Sequence, residues 1–493
     1  MDIVTLALAR KYANEKLAGI FDAYDSTAGY TKGEYVIQNN TIYEANQDIA
    51  SPAGDFDPTK WTATDFSEVA EGKIDKVEEA FAGDVPVLKT DGSLEDSGIN
   101  IADLAPRAMR FGFKRKKAES DPEDRIEYIY DAVGMAPAYM DYANDAFNYG
   151  DWEDFIDMIC RPVMLKADGT VDYELDHNNH NYKIDGITAS DVANTSYGGN
   201  AMAEFGKAFR WVKRSEDANY EYVIFSNKQV DEDYHAYAHT NFNGDIVDSF
   251  YYGMFQGTYV DSRLRSLGTG SPMASQTREA EISRAKANGT GFHTISWSQW
   301  NYISDLLTLI SKSDDAQTAF GYGYANANSA TLANGSMLTK GPFWGESTGK
   351  YGVKVFYIEN YWGSQWQGIA GCILDGSNGI KIKMTPPYCD TPVSAADYSA
   401  YTATGVVPGG TSGNYISAEV QSQLGLIPKT MSGSSSTYIP DACWYNNGQV
   451  DYARVGGYWD LALRVGSRCV SLTTLASDSD SDRGSRLSYL PAA

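Results

Sequence analysis

Val455-Gly-Gly-Tyr-Trp-Asp-Leu-Ala-Leu-Arg-Val-Gly-Ser-Arg-Cys469, followed by Arg483-Gly-Ser-Arg-Leu-Ser-Tyr-Leu-Pro491, is the most informative stretch of this chain. Two glycine-anchored frames bracket a segment that follows neither the 3.6-residue period of a helix nor the two-residue period of a strand. Such a segment reads as a surface loop held by a rigid scaffold, the usual seat of recognition. Tyr458, Asp460, Leu461, Leu463, Arg464, Arg468, Cys469, Ser471, Thr473 and Thr474 mix apolar, charged and polar types without order. That mixture makes poor sense as core and good sense as a contact patch. Stiff aromatic and arginine side chains are the natural anchors of such a patch, here Tyr458, Trp459, Arg464 and Arg468, with Trp444 and Tyr445 beside them. The bland alternative is an ordinary irregular loop.

Composition narrows the partner. The chain of 493 residues carries 65 acidic against 40 basic residues, a formal charge of −25. Such a field repels a phosphate backbone, so nucleic acid is an unsuitable partner. The one basic run, Arg110 to Lys117 (RFGFKRKK), reads as a solvated junction between domains. Five widely spaced cysteines without a CxxC pair are expected as free buried thiols rather than a zinc site or disulfide framework. No run reaches the ~18 apolar residues of a membrane span, and no secretion signal is read at the N-terminus. Tyrosines number 35, tryptophans 10 and phenylalanines 18, which weights the aromatic surface toward rings with a polar handle, as binding surfaces favour.

Taken in order, residues 1–25 hold an amphipathic helix, with Leu6, Ala9, Ala13, Leu17 and Ile20 on one stripe. A helix that short is marginal alone and needs a partner. Residues 26–64 form a small β unit, with a hairpin about Asn39-Asn40. Its pattern resembles the small chitin-binding modules of carbohydrate-binding families five and twelve. The competing reading makes Tyr30, Tyr43 and Trp61 the core of a mini-domain. Residues 65–106 combine a two-heptad seam (Phe66, Ala70, Ile74, Val77, Phe81) with turns at Asp91-Gly92 and Ser97-Gly98, a short coiled coil and connector. This arrangement resembles connectors of phage fibres that lead into a trimeric stalk. From 107 to 493 the texture is one large α+β unit: strands at Arg125–Tyr130 and Tyr220–Phe225, a helix over Trp297–Ser313 with Trp300, Ile303, Leu307 and Ile310 inward, and a serine- and glycine-rich insertion at Thr411–Thr437 expected to be mobile.

Asn360-Tyr-Trp-Gly-Ser-Gln-Trp-Gln-Gly368, preceded by Val353–Glu359, resembles the core strand of the C-type lectin fold in its formylglycine-generating-enzyme form. Val455–Trp459 and Gly484-Ser-Arg486 resemble that family's later elements, in the same order. The resemblance implies an α+β fold of that type, preceded by the helix, the β module and the coiled coil, with one of Trp362 and Trp366 buried under the sheet. The same C-terminal frame resembles the variable proteins of diversity-generating retroelements. Arg125–Pro137, Thr188–Ala201 and Ser262–Leu267 together with the lectin-like end resemble structural proteins of gut bacteriophages. What these resemblances imply is a virion appendage, on tail or capsid, made in the host cytoplasm and released on lysis. It is expected to be a homotrimer that meets other virion proteins through residues 1–25 and binds a bacterial surface protein or glycan through the variable patch within 441–490. That patch comprises Trp444, Tyr445, Tyr458, Trp459, Asp460, Leu461, Leu463, Arg464, Arg468, Cys469, Ser471, Thr473 and Thr474. A polysaccharide-degrading tail enzyme and a purely structural fibre component are the alternatives.

No catalytic residue, metal ligand or cofactor is expected. Cys443 and Cys469 lack the surroundings of the lectin-fold oxidase's thiol pair, and sharing a fold is not sharing a site. The five histidines (His177, His180, His235, His239, His293) include two close pairs but no HExxH motif, and read as exposed or structural. Asp168–Asp172 lacks the ligand set of an EF-hand loop.

Overall fold

The computed structural model describes residues 23–38, 41–64, 84–88, 94–100, 108–326, 329–391 and 394–492. The chain divides into two compact units, residues 1–107 and 108–493. The expected helix within 1–25 and the coiled-coil seam at 66–81 lie outside the described residues, as does the turn at Asp91-Gly92. Tyr35–Gln38 pairs antiparallel with Thr41–Ala45, with Gln38 opposite Thr41, and Trp61–Thr64 completes a three-stranded sheet. Trp61 is buried, with Tyr24, Tyr30, Tyr43 and Phe56 half-buried around it in edge and stacked contacts. The aromatic residues of the module therefore form its core. Asp84–Leu88 pairs with Leu94–Asn100, so Ser97-Gly98 runs through a strand rather than a turn.

The large unit is mixed α/β, mostly sheet with few helices. Arg110–Lys116 is an inner strand of a four-stranded sheet, between Tyr220–Ser226 and Ile126–Tyr130. The expectation of a solvated basic junction is thus corrected. The run has a two-residue period that buries Phe111, Phe113 and Arg115, and Arg115 is neutralised by Asp314 at 2.6 Å and Glu221 at 2.9 Å. A six-stranded sheet runs in the order Val171–Glu174, Cys160–Leu165, Asn200–Phe205, Phe250–Gly253, Leu487–Tyr489, Phe292–Thr294. The C-terminal strand is thereby inserted between two that precede it by about 200 residues in sequence.

The ten-stranded sheet carries the site. Its main strands are β1 (Trp366–Leu374), β2 (Asn414–Ser422), β3 (Gly425–Met431), β4 (Ile439–Tyr445), β5 (Asp451–Val455), β6 (Val470–Thr474) and β7 (Arg483–Ser485). They neighbour one another in the order β1-β5-β6-β4-β2-β3, and β7 adds to β1 in parallel. Thr411–Thr437, expected as a mobile insertion, holds the β2–β3 hairpin. Ile416, Leu426, Ile427 and Met431 are buried, while most of β2 is half-buried. The glycine and serine content reflects a strand pair with one wet face.

Two helices pack between the sheets: α1 (Arg278–Lys286) and α2 (Trp297–Ser311). Ser296 and Gln299 close a capping box on α2. The expected helix ends at Ser311 because Lys312 turns left-handed at φ 56°. All four residues expected inward are buried, and so is every other residue of α2. A helix enclosed on all sides must bury its polar groups with partners, and the Asp305 carboxylate meets Arg214 at 2.7 Å and Arg468 at 2.6 Å. Trp300 stacks on Tyr361 with ring centroids 4.2 Å apart. All five cysteines are free, four buried and Cys389 half-buried. His180, His239 and His293 are buried, and His235 stacks on Tyr237 with ring centroids 4.6 Å apart.

Candidate ligand-binding site

Strand register places the site. Ser485, Gly368, Arg454, Ser471 and Trp444 stand opposite one another in a single row across β7, β1, β5, β6 and β4. Residues in one such row project to the same face. Two residues along, Trp366 on β1, Arg483 on β7 and Thr473 on β6 share it. The opposite face carries Ala453, Val455, Val470 and Leu472, all in the core. The register slips by one residue between the Tyr452–Thr474 and Arg454–Ser471 pairs. A bulge of this kind re-aims side chains, and it brings Thr474 to the same face as Ser471.

Trp366, Trp444, Arg454, Tyr458, Leu461, Ser471, Thr473, Thr474 and Arg483 thus line a cleft of about 140 Å³. The Trp366 and Trp444 rings meet edge to face at 5.4 Å, and Tyr458 lies nearly parallel to Trp366 at 6.4 Å. Trp459 adds an edge contact to Tyr458 at 5.3 Å. Room for the Trp444 indole comes from Gly413, where a Cβ would sit 2.5 Å from Nε1. Arg454 is buried beneath: Nη1 donates to Glu281 Oε1 at 3.2 Å and to the Gly484 carbonyl at 2.9 Å, and Nη2 to the Tyr452 hydroxyl at 2.6 Å. Its Nε has no partner. Ser471 Oγ and Thr473 Oγ1 are bonded to each other at 2.9 Å. Burial, with the charges of Asp482, Asp460 and Asp480, pushes the Tyr458 phenol above its ordinary range, so it is neutral at physiological pH.

The ribbon Tyr458–Arg464 leaves the sheet where Gly456 and Gly457 take φ +86° and +80°, and the chain rejoins it after Gly466. At Gly457 a Cβ would lie 2.5 Å from Val465 Cγ1. Leu461 pins the ribbon against the core, and the Ala462 N–H donates to the Ala325 carbonyl at 2.8 Å. Asp460, Ala462 and Arg464 are exposed; Tyr458, Trp459, Leu461 and Leu463 are half-buried. On the ribbon's other flank Ala462 and Leu463 help line a second cleft of about 220 Å³ with Tyr322, Ala325 and Thr348.

The structure divides the residues expected at the site. Trp444, Tyr458, Leu461, Ser471, Thr473 and Thr474 converge on one cleft. Leu463 faces the other, Trp459, Asp460 and Arg464 stand on the ribbon, and Tyr445 is tied to the Gly410 carbonyl through its hydroxyl at 2.8 Å. Arg468 and Cys469 are corrections. Arg468 turns inward because Asp305 on α2 needs a counter-charge, and its own N–H donates to Asp441 Oδ2 at 2.6 Å. Cys469 starts the return to β6, where burial holds its thiol well above the usual range. Ser471 and Thr474 are 5% and 1% exposed, so they serve as floor rather than outward contacts. Trp366, Arg454 and Arg483 were not among the expected site residues. Alternation along β5, with Ala453 and Val455 inward, is the signal that would have found Arg454. Both rings are buried: Trp362 is 0% exposed and donates from Nε1 to the Gly321 carbonyl at 3.1 Å, and Trp366, at 6%, forms part of the cleft wall.

No family model matches this chain, and no curated protein does. Among solved structures it is similar to variants of a protein titled Major Tropism Determinant. The U1 and P3c variants are each 10% identical, with 95% of this chain and 98% of theirs covered at a TM-score of 0.24. The I1 variant is 10% identical, with 94% and 96% covered at the same TM-score.

Proposed function

We propose that this chain is a phage virion surface protein that attaches to a bacterial host-surface receptor through the Tyr458–Arg464 ribbon and its flanking clefts. In this reading the large unit is a C-type lectin scaffold of the formylglycine-generating-enzyme type. The observation that carries it is the contrast between ribbon and frame. Seven consecutive residues are half-buried or exposed. They are bounded by glycines at positive φ and backed by strands whose inward residues are fully packed. A ribbon built that way can change its outward side chains without disturbing the core, which is what a diversified contact surface needs and what the resemblance to retroelement-varied proteins implies. Attachment to the virion is assigned to residues 1–25 and trimerisation to 65–106, so that three weak sites act with avidity. The site holds its ligand rather than turning it over, and incubation with host polysaccharide is expected to release no new reducing ends.

The test is adsorption of the purified full-length chain to bacterial strains, with and without the combined substitution Tyr458→Ala, Trp459→Ala and Arg464→Ala. Aromatic and arginine anchors of an interface each cost ~2 kcal/mol or more on truncation, so binding is expected to fall by at least roughly 30-fold. Undiminished adsorption by a variant with an unchanged melting temperature overturns the assignment.

A further inference from the structure

We infer that the cleft between Trp366, Trp444 and Tyr458 is a subsite for one neutral sugar ring of a surface glycan. The inference rests on the attachment reading above and narrows its ligand. At about 140 Å³ the cleft has room for about one sugar ring. Its walls are aromatic, and ring faces and edges suit the C–H faces of a pyranose. Its floor is polar in both senses. The buried Arg454 Nε is a donor without a partner. Of the Ser471 and Thr473 hydroxyls, one donates to the other, which leaves one hydrogen and free lone pairs for a ligand.

Charges of both signs surround the cleft and weigh against an ionic ligand. Glu281 is shared by the guanidinium groups of Arg454 at 3.2 Å and Arg278 at 3.1 Å, and Arg483 pairs with Asp478 at 3.4 Å and Asp482 at 3.5 Å. A ligand carboxylate would meet the acidic neighbours Asp460, Asp480 and Asp482 that act on Tyr458. A ligand ammonium would face two guanidinium groups. A hydroxyl donates and accepts at once, and fits a floor offering an unpaired donor beside unpaired acceptors. An unmet buried donor costs ~1–3 kcal/mol, so a ligand oxygen reaching Arg454 Nε contributes selectivity as well as affinity.

The full-length protein is titrated with glucose, galactose, N-acetylglucosamine, their β-linked disaccharides and glucuronate, following tryptophan emission. At least one neutral sugar is expected to shift the emission saturably and more tightly than glucuronate. Tyr458→Ala and the isosteric Thr473→Val should each weaken that sugar roughly tenfold with unchanged far-ultraviolet dichroism. In parallel, adsorption is measured to bacterial strains pretreated with periodate or with protease. Loss after periodate and retention after protease support the assignment. No saturable response to any neutral sugar, a preference for glucuronate, or adsorption that survives periodate but not protease overturns the sugar assignment and leaves host attachment standing. Failure to adsorb to any untreated strain brings down the attachment reading, and the sugar subsite with it.

Discussion

Arg464 and Arg468 lie one helical turn apart in sequence and have opposite fates. Arg464 is exposed on the ribbon, while Arg468 is 5% exposed and paired to Asp305. Arg468 shares the buried Asp305 with Arg214, so removing it takes away a charged hydrogen bond while Asp305 keeps one counter-charge, at a cost of ~1.5–3 kcal/mol. Arg468→Met is therefore expected to lower stability by about that much in urea titrations, whereas Arg464→Met stays within ~0.5 kcal/mol. Asp451, buried at the start of β5, gives a pH signature. Burial raises its carboxyl from 3.8 to about 6, with Asn446 and Gln449 opposing. The folded state thus holds this proton more tightly than the unfolded chain. Its stabilising contribution is fully present below pH 3.8 and is lost as pH rises through about 6. Asp451→Asn removes the ionisation, so the variant should gain on the parent between pH 4.5 and pH 7.5; equal pH slopes for both would contradict this.

The elements explain why the ribbon stands where it does. Helix α2 holds the return frame from below: the Ser304 hydroxyl donates to the Ser467 carbonyl at 2.7 Å, one residue before Asp305 binds Arg468. Trp300, one turn earlier, stacks on Tyr361 and is 1% exposed. Trp300→Ala should cost ~3–5 kcal/mol, read as a drop in melting temperature. Gly457 fixes the exit. Its φ of +80° strains any L side chain and its missing Cβ admits Val465, so Gly457→Ala should cost ~1–3 kcal/mol and weaken ligand binding through misplacement of Tyr458. Period-two alternation made several strands legible in advance, including Tyr220–Ser226, and the period of 3.6 located α2. The β2–β3 hairpin escaped because its polar face dominates the composition, and the basic strand because Arg115 breaks the hydrophobic pattern while being fully buried.

At the scale of the whole molecule, the C-terminus closes the large unit. Arg486 is buried and donates to Gln367 Oε1 at 2.7 Å and to the carbonyls of Gly253, Glu359 and Asn360 at 2.7–3.0 Å. Leu487–Tyr489 then completes the six-stranded sheet. Deleting residues 486–493 is expected to abolish cooperative unfolding of the large unit, since it removes an inner strand and a four-bond anchor together. A fragment spanning 108–493 is expected to retain it, because that unit has its own core; calorimetry of the two truncations separates these outcomes.

By itself the sequence determined the local periods, the glycine frames around 458–466 and the net acidic charge, since each is a property of neighbouring residues or of composition. Only the tertiary structure decided which patch residues face water. Arg468 turns inward where α2 supplies Asp305, while Ser471, Thr473 and Thr474 line the cleft because the register with β5 and β4 sets their face. Those partners lie tens to hundreds of residues away, and burial of a charge depends on whether its counter-charge arrives, which no local pattern records.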